Sequence, residues 1–260
     1  MKKSSFAVLA CVFSVALAAC TNGGRVDAAN FSSLTGVIQK NPNNPDGYNV
    51  RGSAYGRANH YKEALADFTT AIELNPRFYA AYNNRALIYR KMGQEKAALA
   101  DYTRALEINP NYTAAYVGRG NAYRETGRPD LALAGYDQAI ARGTTDARAW
   151  YNRGLVLQAQ GSHTQAISDF GSALSRQPGV PMPYNARGRS YIALGGWENA
   201  LDDFNVAVQL DAKVAESWYN QATVYEHQDD RARAYEGYSK AVALDSRYKA
   251  AREGMRRTRG

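Results

Sequence analysis

The chain has 260 residues, 45% of them hydrophobic, with a formal net charge of +8 and two cysteines. Its length and apolar content suit one globular domain or one repeat array. Both cysteines, Cys11 and Cys20, lie within the first twenty residues, so the remaining chain has no thiol for a disulfide, for redox chemistry or for a Cys nucleophile. Lys2 and Lys3 contribute +2 of the charge, and Arg247, Lys249, Arg252, Arg256, Arg257 and Arg259 against Glu253 contribute +5, which leaves +1 between them. The basic character therefore belongs to a tail.

Residues 1–19 read as a signal peptide, with Lys2 and Lys3 as its charged region and an apolar run of fourteen residues from Phe6 to Ala19. Such a run is too short to span about 30 Å of hydrocarbon. Its end, Leu17-Ala18-Ala19-Cys20, resembles the bacterial lipobox. The resemblance implies cleavage before Cys20, lipidation of Cys20 and a chain anchored to the membrane through that lipid. Acyl chains bury about 0.8 kcal/mol per CH₂, so several of them anchor stably. Thr21 stands where an Asp would, in the enteric sorting rule, imply retention at the inner membrane. The expected location is the periplasmic face of the outer membrane. Residues 20–30, small and polar after Cys20, form a tether whose ten residues past the lipid reach on the order of 35 Å.

Residues 31–44 read as a lone capping helix. Leu34, Val37 and Ile38 lie 34 residues before Phe68, Ala71 and Ile72, and Asn41-Pro42 precedes Asn75-Pro76 and Asn109-Pro110 by one and two such steps. From residue 45 the 34-residue period runs through six blocks without insertion or deletion: 45–78, 79–112, 113–146, 147–180, 181–214 and 215–248. In each block position four is aromatic (Tyr48 to Trp218), position eight is Gly or Ala, and position eleven is Tyr except for Leu157. Offsets of four and seven place these on one helical face. A second face carries Ala at positions twenty and twenty-seven of every block and Phe or Tyr at twenty-four. Gly93, Gly127, Gly161 and Gly195 mark the turn between the two helices. The small residues let two backbones approach while the aromatics fill the space beside them. Blocks one and two end in Asn-Pro, whereas block three ends ARGTTD and block four RQPGVPMP, so irregularity is expected at those two junctions. Residues 249–260 read as a basic C-terminal capping helix and tail. That tail is either a solvated end or a contact for an anionic surface such as lipid head groups or cell-wall polymer.

Position seven is Arg in five blocks (Arg51, Arg85, Arg119, Arg153, Arg187) and Gln221 in the sixth; position twenty-three is Asp67, Asp101, Asp169 and Asp203, with Gly135 and Gly237 in blocks three and six. The sixth block lacks both, which predicts that Arg and Asp pair within a block and that Arg119 finds another partner. No catalytic constellation emerges. His60, His163 and His227 sit in or near turns of separate blocks, and neither a phosphate loop nor a nucleophile elbow is present. No enzyme, metal or cofactor is expected.

The unit resembles the tetratricopeptide repeat (TPR), an antiparallel helix pair, over nearly all the chain past residue 44. The resemblance implies an all-α, right-handed superhelical solenoid and a protein-binding scaffold, its concave face lined by the first helix of each pair. Carried onto positions two, five, nine, twelve and thirteen, it implies a partner-binding groove containing Asn49, Arg57, Asn83, Arg90, Asn121, Arg124, Tyr151, Gln158, Asn185, Arg189 and Tyr219. Amide, guanidinium and phenol groups suit a protein or extended peptide ligand. The family's two-carboxylate clamp for chaperone tails is not expected, since no three consecutive blocks supply its Lys, Asn and Arg set. Lipobox plus repeats resembles the NlpI-type lipoproteins, which implies an outer-membrane adaptor for peptidoglycan hydrolases and a periplasmic protease in cell division and envelope maintenance. The alternative is a pilotin-like or pilus-assembly lipoprotein escorting a secretin, or a structural subunit of an outer-membrane assembly machine. Export argues against nucleic acid as a partner, and a homodimer is compatible with the architecture.

Overall fold

A computed structural model describes residues 28–260. The expected signal peptide, the expected lipidation site Cys20 and the expected tether up to residue 27 lie outside the described residues. All regular structure among the described residues is helical: α1 (Ala28–Lys40), α2 (Pro45–Arg57), α3 (Tyr61–Leu74), α4 (Tyr79–Lys91), α5 (Glu95–Ile108), α6 (Thr113–Glu125) and α7 (Pro129–Ala141), then α8 (Ala147–Ala159), α9 (His163–Arg176), α10 (Pro181–Ala193), α11 (Trp197–Leu210), α12 (Ala215–His227), α13 (Arg231–Leu244) and α14 (Lys249–Thr258). They pair antiparallel as helix hairpins. Two compact units contain them, Met1–Ile88 and Tyr89–Gly260, with the boundary inside α4.

Each hairpin turns at its fifteenth position through a left-handed residue: Gly93, Gly127, Gly161 and Gly195, with φ between 71° and 79°, and Asn59 and Asp229 at φ 63° and 57° in the outer two hairpins. Asn and Asp are the side chains that best tolerate this region, which is why they replace Gly there. The next amide then bonds back to the carbonyl at position eleven, as in His60 N–H to Tyr55 O at 2.9 Å and Gly196 N–H to Tyr191 O at 2.8 Å. That is a Schellman closure of the first helix. Between hairpins the usual device is an Asx turn: Asn75 and Asn109 accept from the Arg77 and Asn111 amides at 3.0 and 3.1 Å, and Asp211 and Asp245 accept likewise. Repeat three instead ends α7 at Ala141 with a second left-handed glycine, Gly143, and Thr144 N–H bonds back to Ala139 O.

The core is the second helix of each pair pressed onto the first. All Ala at positions twenty and twenty-seven are at most 1% exposed, and so are the six aromatics at position twenty-four. The reason for Gly at position eight is steric, because an added Cβ on Gly154 would stand 2.7 Å from the Phe170 ring and one on Gly188 2.5 Å from Phe204. Position six of the following helix repeats the device, with Gly118 over Tyr102 and Gly254 over Tyr238. The aromatic at position four is covered from the second helix by a cation: Arg176 lies 3.5 Å over Trp150 and Lys240 4.2 Å over Trp218.

Arg51 grips Asp67 through Nε and Nη2 at 2.8 and 2.7 Å, Arg153 grips Asp169 at 2.8 and 2.6 Å, and Arg187 grips Asp203 at 2.9 and 2.7 Å. Position seven also reaches backward to the preceding second helix in four places: Arg51 to Thr35 at 2.9 Å, Arg85 to Thr69 at 3.1 Å, Arg153 to Asp137 at 2.7 Å and Gln221 to Asn205 at 2.7 Å. Each contact spans 16 residues, forward or back. In repeats one and four position seven thus closes its own hairpin and stitches it to the one before. Arg119 has neither Asp nor forward partner. Its guanidinium lies 5.6 Å over the Tyr116 ring and its Nε is buried without a hydrogen bond.

At the N-terminal end α1 begins at Ala28, inside the stretch expected as tether. Phe31 stacks on Tyr55 at 4.5 Å and Ile38 is buried. Val37, expected to pack like Ala71, is 52% exposed. No first helix precedes α1 among the described residues to cover that side. At the other end α14 occupies the place of a seventh first helix, with Ala251 buried against Tyr238 and Ala241. Arg257 grips Glu226 at 2.8 and 2.9 Å, which holds the Glu226 carboxyl below the usual range. Lys249, Arg252, Arg256 and Arg259 remain exposed.

Candidate partner-binding face

The groove residues read from the sequence separate into two kinds. Most of the amides are spent between consecutive first helices. In the N-terminal unit Asn49 accepts from Asn84 at 3.0 Å, and Asn83 donates to Asn84 at 3.2 Å. In the C-terminal unit Asn121 accepts from both Tyr136 and Asn152 at 2.8 Å, and Gln158 donates to Ala186 O and Ser190 at 2.7 and 2.8 Å. Asn185, only 2% exposed, donates to Ser217 at 2.7 Å and accepts from Asn220 at 3.3 Å. The expectation that Asn185 meets a ligand is therefore corrected: its amide joins α10 to α12. The partners Asn84, Asn152 and Asn220 all stand at position six of even-numbered repeats, a period of 68 residues that the sequence carries and the 34-residue reading passed over.

The charged and phenolic groups behave differently. Arg90 pairs with Glu125, and Arg124 Nη2 stands 4.0 Å from the same carboxylate oxygen. Two guanidinium groups thus share one acid, and the Nε of each is buried without a partner. Farther along, Arg189 pairs with Glu216, and Arg148, largely exposed, holds Asp146 through contacts of 2.7 to 3.0 Å. Burial raises the Tyr102, Tyr136 and Tyr151 hydroxyls against the pull of nearby arginines, Tyr136 to about 12. All are neutral at physiological pH. Tyr219 lies between Tyr238 and Tyr248, with centroids 5.7 and 4.9 Å away. Arg57 is exposed at the end of α2.

Beside Tyr151 a cavity of about 250 Å³ opens, walled by Ala173, Gln177, Val180, Met182 and Pro183 with Arg148 at its edge. Tyr151 itself packs on Phe170, centroids 6.0 Å apart. Among the described residues no group of three or more His, Cys, Asp or Glu is placed to hold a metal ion, and no helix is long and apolar enough to cross a membrane.

Helix hairpins of constant length, closed by small residues under aromatics and presenting a polar first-helix face, define an α-solenoid of the peptide- or protein-binding class. Tetratricopeptide-repeat profiles match residues 45–78, 79–112, 117–181 and 215–248, more than half of the chain, and the chain belongs to the TPR family. Against the curated proteins no sequence match was found. Among solved structures the fold is similar to the Cut9–Hcn1 hetero-tetramer of the APC/C, at 20% identity and TM-score 0.77, over 88% of this chain and 45% of that one. This chain therefore spans a little under half the length of that relative. It is also similar to YrrB, described as a TPR protein with an unusual peptide-binding site, at 25% identity and TM-score 0.62 over 73% of this chain and 97% of that one. PilW, a widely conserved type IV pilus biogenesis factor, aligns at 21% identity and TM-score 0.71 over 80% of this chain and 97% of its own.

Proposed function

We propose that this chain is a lipid-anchored, non-enzymatic scaffold of the outer membrane that binds an extended segment of an envelope protein during pilus or secretin assembly. The observation that carries this reading is a likeness, over 80% of this chain, to a type IV pilus biogenesis factor, in a chain whose Leu17-Ala18-Ala19-Cys20 resembles a lipobox. The first-helix face of the C-terminal unit, with two arginines on one glutamate and an apolar opening beside Tyr151, supplies the binding surface. Exposed Lys249, Arg252, Arg256 and Arg259 add attraction to anionic head groups or wall polymer.

The test is a crosslinking pull-down from envelopes with the native protein, a Cys20→Ala chain and a Tyr151→Ala/Arg124→Ala chain. Recovery of a secretin or pilus subunit that falls away in the face variant supports the reading. Recovery of peptidoglycan hydrolases and a protease instead moves the assignment to an NlpI-type adaptor, and a soluble Cys20→Ala chain with unchanged partners separates anchoring from binding. Identical partners for the face variant place the binding surface elsewhere.

A further inference from the structure

The cavity beside Tyr151 has a cause in the repeat register. Position thirty-four is aromatic in repeats one, two and six, as Phe78, Tyr112 and Tyr248. In repeat six that ring fills the space next to the position-five aromatic, with Tyr248 against Tyr219 at 4.9 Å. Repeat four has the same position-five aromatic, Tyr151, but Val180 at position thirty-four. The space a ring would take is the cavity, floored by Ala173 and walled by Val180, Met182 and Pro183. Repeat five also has a valine there, Val214, yet its position-five residue is the buried Asn185, already bonded to Ser217 and Asn220.

A half-open, largely apolar hole whose lining includes the exposed Met182 (54%) and Gln177 is a place for an anchoring side chain rather than a packing gap. Its electrostatic surroundings select what comes with the anchor. Beyond burial, Arg189, Glu216 and Arg124 all act on the Tyr151 phenol; Arg189 and Glu216 pair with each other, whereas Glu125, the carboxylate beside Arg124, is already held by Arg90. Arg148, exposed and held by Asp146, also lines the cavity. Two guanidinium groups on one acid leave a positive surplus for a second carboxylate.

We infer that this cavity receives an aromatic side chain from an extended peptide that carries an Asp or Glu close to it, the partner's ring taking beside Tyr151 the place that Tyr248 takes beside Tyr219. The inference rests on the peptide-binding reading above and goes beyond it by naming the motif that the C-terminal unit reads.

The experiment selects peptides from a random twelve-residue display library with the full-length protein in detergent. One selected peptide is then measured with its aromatic residue changed to Ala and its acid changed to the amide. Peptides sharing an aromatic and an acid within a few residues are expected. Val180→Phe, which supplies the missing ring from within, should weaken the aromatic peptide by at least about 10-fold and leave the Ala peptide unchanged. Met182→Phe closes the same mouth from an exposed position and should give the same loss if Val180→Phe disturbs folding. With Arg124→Gln, changing the acid to the amide should no longer matter. Selected peptides without an aromatic residue, or affinity unmoved by both filling variants, overturn the cavity assignment while leaving peptide binding intact. Selection of no peptide at all overturns both.

Discussion

Repeats three and four close the same hairpin joint by opposite means. In repeat four Arg153 forks onto Asp169 and reaches Asp137, and Phe170 sits over Gly154. In repeat three the Asp is replaced by Gly135, so the helices come close enough that an added Cβ would stand 3.1 Å from Gly120 Cα and 3.2 Å from Tyr116 O. The buried ring there is Tyr136, whose hydroxyl donates to Asn121. One joint is held by an ion pair between side chains, the other by backbone contact and a neutral hydrogen bond. A consensus residue at position twenty-three is therefore right only beside the neighbours that leave it room.

Emptying the shared feature should cost most. Phe170→Ala removes a fully buried ring and is expected to destabilise by roughly 3–5 kcal/mol in urea unfolding. Restoring consensus in the tight joint should fail: Gly135→Asp gives Arg119 its acid, yet it drives a Cβ into backbone and is expected to lose about 2 kcal/mol. A gain in melting temperature would show that the ion pair, not the close approach, governs that joint. In repeat four, Asp169→Ala leaves Arg153 with Asp137 alone and should cost about 1–2 kcal/mol, and a cycle with Arg153→Ala should return about 1 kcal/mol of coupling. Additive effects would make the fork ornamental.

The smallest effect, about 1 kcal/mol, is expected for Tyr136→Phe, and it has a pH signature. Burial lifts this hydroxyl from its ordinary value near 10 to about 12. Because the folded value is the higher one, its contribution is complete below pH 10 and is lost as the pH rises through about 12. The alkaline fall in stability should be shallower in the phenylalanine variant.

Much of this was readable from the chain. The 34-residue register, the alanine and aromatic faces and the forward Arg–Asp pairs of Arg51, Arg153 and Arg187 all follow from residues recurring at fixed offsets. The backward contacts to Thr35, Thr69, Asp137 and Asn205 did not, because the acceptor at position twenty-five changes identity from copy to copy. For the same reason the amides at positions five, nine and twelve looked like ligand contacts. A single-repeat view shows an exposed polar side chain, and only the adjacent first helix reveals that Asn121 and Asn185 are already bonded. Val37 erred the other way, since register alone assigned it a neighbour that no described helix provides.

The 16-residue stitch has a consequence for inheritance. Four seams are written in the same two coordinates, so losing or duplicating one 102-nucleotide module would keep that register on either flank. Excising residues 147–180 would set Arg187, which now faces the bare Gly171, opposite Asp137, and the new junction would acquire an acid that the old one lacks. Unequal recombination would then alter the number of reading frames for a partner while leaving both end helices untouched, and the stretch around Val180 would be the part that such an event erases.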